Sequence, residues 1–240
     1  DLIPRTLTLN GGYGITSKMP TLLYLYPEKA YFEYVNINEL ANESISENER
    51  LFMTTTKVYD TSNENLKVAK NHKAEIGLRL NIGKVSASVT AFQERLKNGY
   101  SLDNTFSSFN SFSYKEYTRN ENGDLVLASN LPVLNSYYTP TNNMNVQTQG
   151  IEFDVNVGRI DAIRTSFQLN GAWMRTQSWN NGYDFYDNSG TSASSRTPVA
   201  IYEAGAVKSY RQQLATTLRA THNIPEIGFV VTLTTQAIWN

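Results

Sequence analysis

The chain has 240 residues, no cysteine, only two histidines and a formal net charge of -1. The absence of cysteine excludes a disulfide framework and thiolate metal sites, and two histidines argue against an imidazole metal cluster. The near-zero net charge argues against nucleic acid as a partner, because phosphate binding needs a basic surface. The chain opens at Asp1 without a methionine, so we expect it to be part of a longer protein. No apolar run in the chain approaches the roughly 18 residues of a membrane helix.

The N-terminal segment, residues 5–18, already alternates as a β-strand does. The three glycines of this segment do not match the spacing of a phosphate-binding loop, and we expect them in a bent strand. Its apolar residues fall on one face: Leu7, Leu9, Tyr13 and Ile15.

Three later segments predict long antiparallel hairpins of alternating polarity. They cover residues 74–91, 145–179 and 210–239, with tight turns predicted near residues 81–84, 158–161 and 223–226. The middle hairpin shows the pattern most clearly, with one face predicted to hold Ile151, Phe153, Val155, Val157, Ile163, Phe167, Leu169 and Trp173. The opposite face of the same hairpin carries charges, amides and hydroxyls.

The connections between these segments are of two kinds. Tight turns alternate with long polar segments at 19–70, 99–144 and 178–209, within which residues 36–64 are expected to form a loop and 120–124 to turn a small hairpin. Short turns on one rim and long loops on the other are typical of outer-membrane barrels. The sequence therefore predicts an all-β fold of long antiparallel amphipathic strands, part of a transmembrane β-barrel.

The order of several motifs resembles one known family. The chain contains GYGITSKMPTLLYLYP at 12–27, NENLKVAKNHKAEIGL at 63–78, SASVTAFQERLKNGY at 86–100 and QGIE at 149–152. In this order they resemble the barrel of TonB-dependent outer-membrane transporters. Two positions depart from the family pattern. Ser17-Lys18-Met19-Pro20 stands where Phe-Arg-Ala-Pro is more usual, and Val68-Ala69 stands where Pro-Glu is usual.

The resemblance implies a location and a function. Residues 1–240 would form a partial barrel domain in the cell outer membrane, without the plug domain and the remaining strands. Such a receptor imports a scarce nutrient (an iron chelate, a cobalamin, a glycan or a peptide) with energy from the inner-membrane TonB complex. The expected partners are outer-membrane lipid, the TonB complex and the nutrient, and a surface lipoprotein is a possible further partner. No enzyme activity and no cofactor are expected.

Aromatic residues supply the candidate binding sites. Six aromatic residues in the predicted loops are expected either to stack on a ligand or to pack the loops against one another: Tyr137, Tyr138, Trp179, Tyr183, Phe185 and Tyr186. Trp173 and Trp239 lie on apolar faces near the ends of strands. They are candidates for an aromatic girdle at the membrane surface, and the alternative is that they are core tryptophans.

No catalytic constellation is evident. Glu152 and Asp154 are two residues apart on one strand face, about 6–7 Å from each other, a separation that glycosidase carboxylates also use. A polar barrel wall explains the same pair. Two other interpretations of the chain stay open: a complete small outer-membrane barrel without energy coupling, and a soluble β-sandwich that binds carbohydrate through its loops.

The number of strands makes a further prediction. About seven main strands are expected, against about 22 in outer-membrane transporters. Seven such strands enclose too little space for a plug. We therefore expect an open curved sheet with residues 5–18 and 227–239 on its two edges and no ladder between them.

Overall fold

The computed structural model of the chain describes residues 6–187 and 199–239, and strands dominate them. The helical pieces are one four-residue helix, α1 (Leu22–Leu25), and two short 3-10 turns. The strands are β1 (Leu7–Lys18), β2 (Ala30–Asn38), β3 (Phe52–Tyr59), β4 (Ala69–Ile82), β5 (Val85–Asp103), β6 (Phe109–Arg119), β7 (Leu125–Ser136), β8 (Thr139–Ile160), β9 (Thr165–Asn180), β10 (Asp184–Asp187), β11 (Val199–Tyr202), β12 (Lys208–Ile224) and β13 (Phe229–Trp239).

Seven of these strands form one antiparallel sheet in the order β1-β4-β5-β8-β9-β12-β13. The β4–β5, β8–β9 and β12–β13 connections are tight turns, and all three lie at the same end of the sheet, the turn end. The other three connections carry the separate two-stranded hairpins β2–β3, β6–β7 and β10–β11 at the opposite end, the loop end. The predicted sorting of short and long connections is confirmed.

One face of the sheet is apolar across all seven strands. Residues directly opposite in an antiparallel ladder share a face, and the ladder aligns Val155, Leu169 and Leu218 in one row. We call this face the apolar band, and its principal members are Leu9, Ile76, Leu78, Val89, Ile151, Phe153, Val155, Phe167, Leu169, Trp173, Leu214, Leu218, Val231, Leu233 and Trp239. Leu169 is 39% exposed and Leu233 is 65% exposed. No second sheet covers this face among the described residues. These residues therefore do not form the closed core that a β-sandwich requires.

The opposite face is polar over the same length of strand. One row aligns Arg79, Ser88, Asp154, Asn170 and Thr217. Within this face Gln168 donates a hydrogen bond to Asp154 at 3.1 Å. A sheet with one continuous apolar face and one continuous polar face is what a barrel wall between lipid and an aqueous lumen requires.

Two predicted turns are displaced by a few residues. The β8–β9 turn occupies residues 161–164, not 158–161, because Gly158 lies in a bulge of β8 at φ +55°. A Cβ at Gly158 would come within 2.6 Å of the Lys84 carbonyl oxygen. Ile163 therefore lies in the turn instead of on the apolar band. The β12–β13 turn occupies residues 225–228, not 223–226, because β12 continues to Ile224 and β13 starts at Phe229.

The prediction of a loop over residues 36–64 is wrong in part. The strands β2 and β3 extend into this segment and pair with each other, with an irregularity between Val35 and Ile37. The alternation was hidden because half-buried positions of both strands in this segment hold amide, hydroxyl or amine side chains instead of aliphatic ones: Asn36, Thr55 and Lys57.

The sheet is open. β1 and β13 are its two edges, and no ladder joins them among the described residues, as predicted. Arg5, at the predicted start of the first strand, lies outside those residues, as do residues 188–198 of the predicted 178–209 loop. Within the described ranges, no helix is both long and apolar enough to cross a membrane.

Candidate functional site

The hairpins β2–β3 and β6–β7 pack together above the loop end through aromatic side chains. The Tyr34 ring lies 5.1 Å from the Phe112 ring and 5.0 Å from the Tyr114 ring, measured between centroids. The Tyr34 hydroxyl also donates a hydrogen bond to the Asn135 side chain. These contacts join segments about 80 to 100 residues apart in the chain into one unit, which we call the hairpin pair.

An ion pair closes the far side of the hairpin pair. The Arg119 guanidinium donates to both carboxylate oxygens of Glu39, at 2.8 and 3.1 Å, and to the Glu49 carbonyl at 2.8 Å. Glu39 also accepts a hydrogen bond from the Leu51 backbone N–H. The hydrogen bonds from Arg119 are the main cause that lowers the pKa of Glu39, so the carboxylate stays charged under mildly acidic conditions.

The six predicted loop aromatics fall into two groups. Three are packed by neighbours: the Tyr137 ring stacks on Tyr59 at 5.3 Å, Phe185 contacts Phe109 at 6.1 Å, and Trp179 lies under the Arg95 guanidinium at 5.8 Å. The other three are more exposed, with fractions of 63%, 63% and 50% for Tyr138, Tyr183 and Tyr186. Two of these also contact a ring: Tyr183 lies 6.5 Å from Phe185, and Tyr186 lies 5.3 Å from Tyr202, measured between centroids. This second group presents the more exposed aromatic surface to a ligand.

A depression of about 350 Å³ lies beside Tyr183 at the loop end of the sheet. Of its 13 lining residues seven are asparagine, and the charged ones are Lys67 and Asp103. We call it the asparagine pocket. Its lining offers many amide donors and acceptors and little net charge, which suits a neutral polar ligand better than a highly charged one.

Several of these asparagines hold the pocket together. The Asn142 side chain accepts a hydrogen bond from the Lys67 N–H at 2.6 Å and donates to the carbonyls of Lys67 and Asn98, at 2.9 and 2.8 Å. The Asn143 amide donates to the Tyr183 carbonyl at 3.1 Å. These bonds connect the start of β4, the end of β5, β8 and the chain after β9.

Asn104 differs from these because its amide oxygen has no partner. The residue is only 8% exposed, and its Oδ1 is the one buried side-chain polar atom without a hydrogen bond among the described residues. Leaving a buried acceptor unpaired costs about 1–3 kcal/mol. Asn104 lines the asparagine pocket, so a ligand hydroxyl or N–H could pair with this buried oxygen once the neighbouring side chains shift.

Two carboxyl groups lie next to this pocket. Asp103 accepts hydrogen bonds from Ser101, at 2.6 Å, and from Thr141. Asp184 is 9% exposed, and its burial together with the neighbouring Asp103 charge raises its pKa. No group of three or more potential metal-binding side chains occurs in the part of the chain that the structure describes.

Trp173 and Trp239 lie in one row of the sheet. The ladder aligns Trp173 with Leu214 and Leu214 with Trp239, on the same face as the apolar band. The next row toward the loop end is polar, since Arg175 pairs there with Gln212.

Glu152 and Asp154 lie on the opposite face, along a shallow depression of about 400 Å³ lined mainly by hydroxyl, amide and alanine residues.

Sequence reasoning did not find the asparagine pocket. A signal exists, because five of the pocket asparagines stand within four residues of a strand terminus: Asn63, Asn104, Asn142, Asn143 and Asn181. Their meeting at one site depends on strand order and register, which the spacing of asparagines along the chain does not reveal.

The chain matches a known protein family. A family model described as "TonB dependent receptor-like, beta-barrel" matches residues 2–234 of the chain. No curated protein matches it significantly.

Proposed function

Because the chain belongs to the TonB-dependent receptor family of β-barrels, we propose that it is a wall segment of an outer-membrane transporter that imports a scarce nutrient. In this proposal the energy comes from the inner-membrane TonB complex. Residues 1–240 form part of the barrel domain, and the plug domain and the remaining strands are supplied by other residues of the protein. The family consists of transporters, so no catalytic step is proposed.

The observation that carries this proposal is the two-faced sheet. Its apolar band is exposed on all seven strands, and its other face is lined by charged, amide and hydroxyl side chains. In water such a band would drive aggregation, whereas in a bilayer it meets acyl chains. In the proposed orientation the turn end faces the periplasm, the loop end faces the exterior, and the row that holds Trp173 and Trp239 forms part of the aromatic girdle.

We place nutrient contact at the loop end, in and around the asparagine pocket. Tyr138, Tyr183 and Tyr186 are exposed aromatics there, and Asn104 has an unpaired acceptor. The nutrient class is an iron chelate, a cobalamin, a glycan or a peptide. The composition of the pocket favours the glycan or peptide, because amide-rich sites bind hydroxyls and peptide groups well.

Nutrient-limited growth tests the transport proposal. A strain that lacks the gene is grown with each candidate nutrient as the limiting source, beside its complemented parent and a strain that lacks the TonB complex. We expect that one nutrient will not support growth of either mutant strain. Complementation of the gene deletion should restore growth on that nutrient. Uptake of that nutrient at the native rate without the TonB complex would contradict energy coupling.

A further inference from the structure

Charges are distributed unevenly on the loop-end side of the apolar band. On the apolar-band face, the three rows beyond Trp173 contain five basic side chains and no aspartate or glutamate, although the whole chain has 21 basic and 22 acidic residues. We call these residues the basic belt, and they are Lys70, Arg95, Lys97, Arg175 and Lys208.

The basic belt directly adjoins the apolar band. Arg175 follows Trp173 by two residues on β9, and Arg95 follows Ala91 by four residues on β5. Because alternate residues share a face and a strand rises about 3.4 Å per residue, the first cation stands about 7 Å beyond the last apolar row. Cations in this position lie where lipid headgroups meet acyl chains.

The belt cations have no acidic partner in the described part of the chain. None of the five takes part in an ion pair there, whereas Lys73, at the same height on the opposite face, lies 3.2 Å from Glu75 and 3.6 Å from Glu94. The carboxylates at this level are therefore on the lumen side. The basic belt presents an uncompensated positive charge.

Aromatic rings support two of the belt arginines. The Arg175 guanidinium lies 5.0 Å from the centre of the Tyr210 ring, and Arg95 lies 5.8 Å from the centre of the Trp179 ring. Ring contacts of this kind hold a guanidinium flat against the wall and leave its N–H groups free for an anion. Lys70, Lys97 and Lys208 around them are exposed.

We propose that the basic belt binds the phosphate groups of anionic lipid in the outer leaflet, with the acyl chains of the same lipid lying on the apolar band. The inference rests on the membrane orientation given in the proposed function. A lipid fits better than free phosphate, because the cations are spread over four of five consecutive strands of the sheet, β4 to β12, above an exposed apolar surface instead of converging on one pocket.

Lipid binding by the purified full-length receptor tests this proposal. The receptor is placed in phosphatidylcholine vesicles with and without lipid A, a phosphorylated glycolipid, and bound lipid A is measured after dilution. The belt variant is Arg95→Gln with Lys97→Gln and Arg175→Gln. The matched control is Arg79→Gln with Arg211→Gln and Arg219→Gln, which removes the same charge from the opposite face.

We expect the native receptor and the control to retain lipid A, and the belt variant to bind it at least about tenfold more weakly. Retention should also fall as salt rises, because four of the five cations are exposed. Native-level retention by the belt variant, or equal losses in both variants, would overturn the proposal. So would release of lipid A by low concentrations of inorganic phosphate, since that would indicate a free-anion site. Failure of TonB-dependent uptake with lipid binding intact would instead contradict the proposed transport function.

Discussion

At the scale of single residues, neighbours in one strand have opposite surroundings. Leu169 lies in the apolar band beside Val155 and Leu218, whereas Gln168 lies on the polar face and bonds to Asp154. Leu169→Arg should therefore place a charge at mid-bilayer and lower the unfolding free energy by about 2–4 kcal/mol. Reversible denaturation of the full-length receptor in lipid vesicles measures this change.

The matched substitution is Gln168→Arg, which adds the same side chain one position away but toward the lumen. We expect it to change the unfolding free energy little, because water and polar groups solvate the new charge. Equal costs for the two substitutions would mean that the apolar band does not face lipid.

A substitution at Asn104 is expected to stabilise the protein, in contrast to Leu169→Arg. Asn104→Leu removes the unpaired buried acceptor, so the ligand-free receptor should become more stable by about 1–3 kcal/mol while nutrient binding weakens. Thermal unfolding and equilibrium binding on the same preparation measure the two effects. Asn142→Leu is the contrast, since it breaks three hydrogen bonds and should destabilise the loop end. If Asn104→Leu is also destabilising, the Asn104 amide is structural.

At the scale of elements, the hairpin pair depends on the contact between Glu39 and Arg119. Glu39→Gln keeps the shape of the side chain but removes its charge, leaving Arg119 with weaker hydrogen bonds. We expect faster amide exchange in β2, β3, β6 and β7, with exchange in the seven-stranded sheet unchanged. Hydrogen exchange at neutral pH measures this difference strand by strand.

The same contact gives the hairpin pair a pH dependence. The pKa of Glu39 is lowered in the folded state. Its contribution to stability is therefore complete above the ordinary glutamate pKa, about 4.3, and is lost as the pH falls through the lowered value. Protection of the hairpin pair should thus decline below about pH 4 in the native receptor. In Glu39→Gln this decline should be absent, and an unchanged decline would assign the effect to other carboxyl groups.

The β10–β11 hairpin is an element that should be removable without loss of the wall. Asn180 anchors the base of the connection by bonds to the Gly182 and Glu203 carbonyls and to the Val207 N–H. Deleting residues 184–202 keeps all of these anchors but removes Phe185 and Tyr186. We expect normal barrel assembly and weaker nutrient binding, measured by surface labelling and by uptake. Unchanged uptake would exclude this hairpin from recognition.

At the scale of the whole molecule, the two open edges of the sheet decide what the chain can do by itself. β1 and β13 each present one row of backbone groups without a ladder partner in the described residues. In a bilayer each unsatisfied backbone group costs several kcal/mol, so these edges must pair with other strands. The proposed barrel therefore needs about 15 further strands if it closes at about 22.

This requirement predicts the behaviour of the isolated segment. Residues 1–240 mixed with lipid vesicles should aggregate or form oligomers through their edges and should give no defined conductance, whereas the full-length receptor should fold as a monomer. Cross-linking and planar-bilayer recording measure the two outcomes. A monomeric conducting pore from residues 1–240 alone would indicate a self-sufficient small barrel.

The sequence by itself determined which segments form the barrel wall and which face each of their residues lies on. Alternation with period two assigns each strand residue to one of two faces, and turn length assigns each connection to one end, so strand order and open edges followed from local information. Where the prediction failed, the local signal was weak. The hairpin β2–β3 lacks aliphatic alternation, and the Gly158 bulge shifted a turn by three residues.

Only the tertiary structure decided what the loop end and the basic belt contain. Asn104, Asn142 and Lys67 are far apart in the chain and meet because β4, β5 and β8 are neighbours in register. The basic belt likewise appears only when rows from separate strands are aligned. Whether an aromatic side chain packs against another or remains exposed also depends on its neighbours in space, which is why Tyr137 and Tyr138 differ although they are adjacent in sequence.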